Sequence, residues 1–91
     1  MVEDLNQKCF EKLEKILKNS LRIENNAKIT REGRFREDYG LDSLDEYELL
    51  YGVEEGFGIQ IPDEKARDFE SLKDVEIYLI ENYKEVVTKL E

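Results

Sequence analysis

The side chains that could do chemistry in this 91-residue chain are few, because it contains no histidine and only one cysteine, Cys9. Without histidine, the chain lacks the commonest general base and the commonest metal ligand. A single cysteine excludes an internal disulfide and a thiolate-rich zinc site, and no motif around Cys9 indicates a reactive thiol. We predict Cys9 to be a small buried apolar residue. The carboxylates lack EF-hand spacing, so the sequence predicts no metal site. Because histidine is absent and Cys9 has no reactive motif, the sequence also predicts no catalytic residue and argues against an enzyme.

Ser43 is the side chain with the clearest chemical potential. It follows Asp42, a favourable helix N-cap, and Asp45 and Glu46 place negative charge in the first turn, where the helix dipole favours it. Since no histidine is available to activate it, Ser43 is better explained as a substrate for another enzyme than as a nucleophile of this chain. Taken alone, however, Ser43 would be explained by helix capping without any further role.

Charge is unevenly distributed along the chain, whose formal net charge is −9. Residues 37–64 contain ten acidic and no basic side chains, whereas residues 1–36 contain nine basic and six acidic ones. This balance disfavours nucleic acid and anionic membranes as partners and favours basic protein surfaces. No apolar run approaches the ~18 residues of a membrane span, and no signal peptide opens the chain. We therefore expect a monomeric cytoplasmic protein that does not insert into membranes.

The elements that must position these residues are helices, and the hydrophobic spacing predicts four of them. The first should bury a stripe on one face, and the last should turn its own stripe inward and open with a capping box at Ser71. We expect residues 86–91 to extend the last helix or to fray. The class is therefore all-α, with residues 1–91 forming one domain. The predicted helices cover about residues 3–19, from Asp42–Ser43 to Phe57, about residues 63–68, and a last segment from Leu72. The inward stripe of the first helix consists of Leu5, Cys9, Leu13, Ile16 and Leu17. The inward stripe of the last helix consists of Leu72, Val75, Leu79 and Tyr83.

The second helix is predicted to have two apolar faces. At about 100° per residue, one face points into the core and a second apolar stripe points away from it. An exposed apolar stripe beside carboxylates is typical of a docking surface for a partner with apolar dimples surrounded by lysine and arginine. The alternative is that the two tyrosines of this stripe lie over a loop. The core face consists of Leu49, Leu50, Val53 and Phe57, and the outward stripe of Leu44, Tyr47 and Tyr51, with Glu48 and Glu55 on its flanks.

The segment Asp38-Tyr39-Gly40-Leu41-Asp42-Ser43-Leu44-Asp45 resembles the signature of acyl carrier proteins, Asp-Leu-Gly-x-Asp-Ser-Leu. The similarity continues with Glu48-Leu49-Leu50 and with Glu54-Glu55-Gly56-Phe57, where the family typically has Val-Glu-Leu and Glu-Glu-x-Phe. It extends to Ile61-Pro62-Asp63-Glu64, which matches the family's Ile-Pro-Asp-Glu. The resemblance covers residues 35–83, and the helix pattern of the first twenty residues also fits it.

This resemblance implies a four-helix bundle of the acyl carrier protein type, with three longer helices, one short helix and a long loop between helices 1 and 2. It implies that Ser43, flanked by Asp42 and Leu44, carries a covalent 4′-phosphopantetheine arm. The phosphodiester would then lie at a helix N-terminus, where free N–H groups and the dipole stabilise an anion. The resemblance also makes the second helix the surface that partner enzymes contact. The expected recognition residues are Leu44, Asp45, Tyr47, Glu48, Tyr51 and Glu55.

The implied function is a carrier that does no chemistry itself. It would receive its arm from a phosphopantetheinyl transferase, hold acyl intermediates as thioesters, and present them to enzymes of fatty-acid or lipid biosynthesis with basic docking surfaces. Two alternatives stay open at this point. The first is a carrier for aminoacyl or polyketide intermediates. The second, from a different class, is an acidic protein-interaction module that is never modified.

Several residues depart from the usual family pattern and predict a specialised member with a dedicated acyl group or partner. Tyr39 stands where leucine is common, and Tyr47 and Tyr51 stand where smaller aliphatic residues or methionine are common. Gly52 and Gly56 lie inside the second helix, where each costs up to ~1 kcal/mol relative to alanine. The connection over residues 20–39 is long and rich in arginine, with Ile23, Ile29 and Phe35 as expected anchors on the core. We expect its arginines either to fold back onto the acidic segment or to form a second partner surface; the three concerned are Arg31, Arg34 and Arg36.

Overall fold

The structure, a computed structural model, describes residues 2–24 and 26–89, and the side chains of all of these except residues 2–5. Within these residues the chain is helical, with no strand and one isolated β-bridge between Arg34 and Ser71. None of the helices described is long and apolar enough to cross a membrane. The all-α prediction is confirmed. The helices are α1 (Val2–Leu21), α2 (Ser43–Phe57), α3 (Asp63–Ala66), α4 (Leu72–Asn82) and α5 (Lys84–Thr88).

Helix α1 packs along α2 and α4, and the core lies between these three helices. In α1, Cys9, Leu13 and Leu17 are fully buried and Ile16 is half-buried, as the predicted stripe requires. Leu5 lies outside the described side chains. The predicted core face of α2 is also confirmed, because all four of its residues are buried. They are Leu49, Leu50, Val53 and Phe57.

The two glycines of α2 lie where α1 comes closest. A Cβ atom added at Gly52 would lie 2.6 Å from Ser20 Oγ and 2.9 Å from Ile16 Cγ2. A Cβ atom added at Gly56 would lie 2.8 Å from Ile16 Cδ1. Both distances are shorter than ordinary van der Waals contact. Glycine lowers the helix propensity of α2 at these two positions, but the absence of a Cβ atom allows α1 and α2 to approach each other closely.

The long connection between α1 and α2 is held to the rest of the fold by buried side chains and by backbone hydrogen bonds. Ile29 and Phe35 are buried anchors, as predicted. The Phe35 N–H donates to the Glu70 carbonyl at 2.8 Å, and the Lys73 N–H donates to the Arg31 carbonyl at 2.9 Å. These bonds tie the connection to the start of α4, so it is an integral part of the fold.

Tyr39, one of the departures from the family pattern, closes this connection on itself. Its hydroxyl accepts a hydrogen bond from the Thr30 N–H at 3.0 Å and donates to the Thr30 carbonyl at 3.3 Å. The ring lies so close to Gly33 that a Cβ atom there would clash with it. A leucine at residue 39 has no hydroxyl with which to make these two bonds.

The C-terminal part of the fold differs from the prediction. Helix α4 ends at Asn82, Tyr83 leaves the helical conformation (φ −133°, ψ 45°), and α5 follows as a separate short helix. The Tyr83 hydroxyl donates to the Gln60 carbonyl at 2.8 Å, which holds the break against the segment between α2 and α3. Val87 of α5 is buried. The expectation that this segment extends α4 or frays is wrong for residues 86–89, and residues 90 and 91 lie outside the described part.

The end of α3 and the cap of α4 also differ from the prediction. The short α3 ends at Ala66, and a turn rather than helix follows over residues 67–68. At the start of α4, Ser71 Oγ accepts a hydrogen bond from the Asp74 N–H at 3.4 Å, as the capping box requires. The Asp74 carboxylate, however, accepts from the Glu70 N–H at 2.8 Å instead of from Ser71. The predicted box is therefore only half formed.

Candidate functional site

The start of α2 is built by a complete capping box. Asp42 has an extended backbone, and its Oδ1 accepts a hydrogen bond from the Asp45 N–H at 2.9 Å. In return, Asp45 Oδ2 accepts from the Asp42 N–H at 3.1 Å. Gly40, with φ +66°, supplies a left-handed residue two positions before the cap, a conformation that favours glycine. The sequence between Gly40 and Asp45 therefore specifies locally where α2 begins.

Ser43 occupies the first position of α2, directly after this cap. Of the three serines in the chain, all of which the structure describes, Ser43 alone is exposed; Ser20 is half-buried and Ser71 is buried. The first hydrogen bond of the helix backbone runs from the Glu46 N–H to the Asp42 carbonyl at 3.0 Å. The N–H groups of Ser43 and Leu44 precede that bond, so they belong to the free N–H groups typical of a helix N-terminus.

Sequence reasoning expected Arg36 to fold back onto the acidic segment, but it did not place Arg36 beside Ser43. Its Nη2 donates to Ser43 Oγ at 2.9 Å, and its Nε and Nη2 donate to the two carboxylate oxygens of Glu46 at 2.9 and 3.3 Å. The hydrogen bond and charge of Glu46 raise the pKa of Arg36 further above its usual value, so the guanidinium is always charged. The only signal in the sequence was a cation seven residues before Ser43. The shallow pocket beside the serine is lined by Arg36, Ser43, Glu46, Tyr47, Leu50, Asp63, Ala66 and Arg67.

The outward stripe of α2 is exposed, as the helix angles predicted. Leu44, Tyr47 and Tyr51 are 72%, 59% and 64% exposed. The alternative, that the tyrosines lie over a loop, is wrong. A shallow groove runs along this stripe and is bordered by the exposed carboxylates Glu48 and Glu55. Leu44 and the tyrosines therefore form, with these two carboxylates, one continuous surface next to Ser43; it is called the α2 stripe below.

Several carboxylates of the acidic segment are used within the fold. Glu54 Oε2 accepts a hydrogen bond from the Ile61 N–H at 2.7 Å and thereby holds the extended segment after α2. Asp38 Oδ2 accepts from the Arg34 N–H at 2.7 Å. The Asp45 carboxylate, which was predicted to contact partners, points back to the Asp42 N–H. The acidic segment is therefore not a uniform solvated face.

The three arginines of the long connection have different roles. Arg34 pairs with Glu37 at 2.8 Å and Arg36 with Glu46 at 2.9 Å, so these two fold back onto the acidic segment, as one of the two expectations stated. Arg31 does not fold back onto the acidic segment, so this expectation is wrong for it. Its Nε lies 3.2 Å from the buried carboxylate of Glu76 in α4, because the connection crosses the start of that helix.

Cys9 behaves as the predicted small apolar residue. It is fully buried, and burial together with the nearby negative charge of Glu76 raises the pKa of its thiol to about 12. At neutral pH the thiol is therefore protonated and shielded from reagents at the protein surface.

The surroundings of Ser43 fit a covalently attached phosphate ester. The hydroxyl is exposed, the neighbouring N–H groups belong to a helix N-terminus, and Arg36 places a fixed positive charge within hydrogen-bond distance. A helical bundle with such a serine at the start of an acidic helix is typical of a class of protein, the carrier domains that bear a phosphopantetheine arm. In agreement, residues 11–79 match the family model described as a phosphopantetheine attachment site.

Comparison with individual proteins narrows this class. Over 65 residues, 71% of this chain and 82% of the relative, the sequence is 48% identical to an acyl carrier protein of Treponema denticola. It is 42% identical over 69 residues to an acyl carrier protein of Akkermansia muciniphila, covering 76% of this chain and 85% of that one. For an acyl carrier protein of Helicobacter acinonychis the identity is 40% over 73 residues, 80% and 92% of the two chains. The chain belongs to the acyl carrier protein family.

Family membership confirms the predicted cofactor and the absence of an activity of its own. The protein carries acyl groups on a covalent 4′-phosphopantetheine arm, and it serves acyl-processing enzymes rather than catalysing a reaction itself. The arm supplies the thiol that forms the thioester. The residues of this chain have to bear the arm and present it to partners.

Proposed function

We propose that Ser43 bears the 4′-phosphopantetheine arm, with Asp42 and Leu44 on either side of the attachment point. The observation that carries this proposal is the exposure of Ser43 in the first turn of α2, since the other two serines are shielded. The same serine lies in the segment that resembles the family signature. In the attachment reaction, Ser43 Oγ bonds to the phosphorus of coenzyme A that carries pantetheine, and adenosine 3′,5′-bisphosphate leaves. The transferase has to supply the base that takes the hydroxyl proton, because this chain has no histidine.

The proposed cargo is an acyl chain of fatty-acid or lipid biosynthesis. The names of the relatives, all acyl carrier proteins, support this pathway over aminoacyl or polyketide cargo. Tyr47 and Tyr51 on the α2 stripe support a dedicated partner or acyl group.

We further propose one carrier domain over residues 1–91, because the helices from α1 to α5 contribute to a single core. We propose that the protein acts as a monomer and that it is located in the cytoplasm, where a single cysteine stays reduced.

The proposed partner surface is the α2 stripe. Its apolar part suits shallow apolar dimples on an enzyme, and Glu48 and Glu55 suit lysine and arginine around those dimples. Asp45, also expected in recognition, contributes its negative charge but keeps its carboxylate on the helix cap. A phosphopantetheinyl transferase and the acyl-processing enzymes would use the same surface, because it adjoins Ser43.

The experiment that tests the attachment site is intact-mass measurement. Purified apo-protein is incubated with coenzyme A and a broad-specificity phosphopantetheinyl transferase. We expect the wild type and the control Ser20→Ala to gain the mass of one phosphopantetheine and Ser43→Ala to gain nothing. Ser43→Ala should stay folded, because Asp42 and Asp45 still cap the helix. Attachment to Ser43→Ala would disprove the site. A wild type that gains no mass would instead favour the unmodified interaction module.

A further inference from the structure

The contact between Arg36 and Ser43 has no explanation in folding. The Arg36 side chain is 59% exposed, and exposed pairs such as Arg36–Glu46 contribute little to the stability of a fold. Arg34 forms a comparable exposed pair with Glu37 in the same connection, but it does not contact the serine. The feature specific to Arg36 is the position of its guanidinium 2.9 Å from the oxygen that receives the arm.

The geometry points to Arg36 as a phosphate-binding residue that neutralises the phosphodiester of the attached arm; this inference rests on Ser43 being the attachment site. Guanidinium groups are suited to phosphate because their planar N–H donors form charge-assisted hydrogen bonds with its oxygens. The hydrogen bonds of Arg36 to Ser43 and Glu46 start from Nε and Nη2. The two N–H groups of Nη1 take no part in them, so they can donate to a phosphate without loss of the Glu46 pair.

The charges around Ser43 favour such a cation. The first turn of α2 already contains the carboxylates of Asp45 and Glu46, and Asp42 precedes it. Attachment adds a further negative charge at the same place. Arg36 already contacts Ser43 and Glu46 without the arm, so its binding to the phosphate needs little rearrangement. Arg67 lines the same pocket and adds a second positive charge, beside the carboxylate of Asp63.

The test combines attachment of the arm with substitution of the arginine. Melting temperatures are measured for apo- and holo-forms of the wild type, Arg36→Ala, Arg36→Lys and the matched control Arg34→Ala. Intact mass confirms complete loading of each holo-form. Arg34→Ala removes the same charge from the same connection, so it controls for net charge. The quantity compared is the change in melting temperature caused by attachment.

We expect attachment to lower the melting temperature of Arg36→Ala by about 4 °C more than that of the wild type, roughly the shift for losing one exposed ionic contact in a domain of this size. Arg34→Ala should respond to attachment as the wild type does, and Arg36→Lys should lie between. The excess loss should shrink in high salt, since screening weakens the interaction. Equal responses of Arg36→Ala and Arg34→Ala would overturn this inference while leaving Ser43 as the attachment site. A wild type that cannot be loaded would overturn both.

A second measurement does not depend on loading of the variants. In wild-type protein labelled with ¹⁵N, the Nε–H resonances of Arg36 and Arg34 are assigned with the two alanine variants in their apo-forms. We expect loading of the wild type to shift the Arg36 resonance and to leave the Arg34 resonance in place. An unmoved Arg36 resonance would overturn the inference, because a guanidinium that binds phosphate changes its electrostatic environment.

Discussion

Arg31 pairs with Glu76, whose side chain is the most buried among the ion pairs described in this fold. Glu76 is buried, whereas about a third of Arg31 is exposed. Arg31 also donates from Nη2 to Gln7 Oε1 at 3.0 Å, and its guanidinium carbon lies 4.7 Å from the centre of the Phe10 ring. Burial raises the pKa of Glu76, and the charge of Arg31 opposes that rise. At the scale of single residues, Arg31 therefore joins α1 and α4 through the connection that precedes α2.

We predict that Arg31→Ala lowers the free energy of unfolding by about 2 kcal/mol at pH 7, below the usual cost of breaking a buried pair because Arg31 is partly exposed. The matched control Arg34→Ala, which removes an exposed pair, should cost under ~1 kcal/mol. Urea unfolding of both variants and the wild type measures the difference. Equal costs for the two variants would mean that the Arg31 pair is no more important than a surface contact.

The loss in Arg31→Ala should depend on pH. The pKa of Glu76 is raised in the folded state, so its contribution to stability is largest below its unfolded pKa and declines as pH rises through the folded pKa. Removal of Arg31 raises that pKa further, and protonation of Glu76 then removes the unpaired charge. We therefore expect the deficit of Arg31→Ala to be smaller at pH 5 than at pH 7 in the same urea experiment. A deficit that grows towards pH 5 would contradict this assignment.

At the scale of elements, the packing of α1 on α2 decides what the glycines of α2 tolerate. Helix propensity alone predicts that alanine at either position stabilises the protein by up to ~1 kcal/mol. We predict that Gly52→Ala instead destabilises it by about 1 kcal/mol, because the new Cβ would overlap the branched methyl of Ile16 and Ser20 Oγ. Gly56→Ala meets only the flexible end of Ile16, so it should change stability by under ~0.5 kcal/mol or increase it. Thermal melts of the two variants test this contrast, which a stabilising Gly52→Ala would disprove.

The α2 stripe leads to a prediction about docking. We expect Tyr47→Ala and Tyr51→Ala each to change folding stability by under ~1 kcal/mol, because both rings are exposed. Each should weaken kcat/KM with the phosphopantetheinyl transferase, or association with an acyl-processing enzyme, at least tenfold, which is about 1.4 kcal/mol. Ile77→Ala is the matched control, since Ile77 is an exposed apolar residue on α4. Large stability losses with unchanged kinetics would remove the stripe from partner recognition.

The carboxylates beside the stripe should act on the encounter rather than on the complex. Glu48→Lys and Glu55→Lys are expected to slow association and to flatten its dependence on salt, because charges at the rim of an interface mainly steer the approach. Stopped-flow association rates across a series of salt concentrations measure this. Association rates that keep the wild-type salt dependence would show that these carboxylates do not face the partner's basic groups.

At the scale of the whole molecule, the net charge of −9 dominates the response to salt. Internal pairs such as Arg34–Glu37 and Arg36–Glu46 offset part of the acidic segment, but they do not change the excess of negative charge. We predict that added salt or millimolar magnesium raises the melting temperature, because screening over about 10 Å at 0.1 M relieves the repulsion. Magnesium chloride and sodium chloride at equal ionic strength distinguish divalent binding from screening. A melting temperature that does not change across the series would contradict dominant self-repulsion.

The sequence by itself determined the features that depend on neighbouring residues. Asp42 caps α2 with Asp45 in its first turn, and helical spacing alone separated the core face of α2 from the exposed stripe. The same local segment, read as a family signature, led to the predicted cofactor. These features could be predicted because capping and helical periodicity act over three or four residues.

Only the tertiary structure decided which distant groups meet. Arg31 and Glu76 are 45 residues apart, and Arg36 reaches Ser43 only because the connection folds back over the start of α2. Gly52 avoids a clash with Ile16 and Ser20 only because that side of α1 faces it. The break at Tyr83 is held by a hydrogen bond to Gln60. Each contact depends on the paths of two separate segments, and helical periodicity contains no information about how those segments cross.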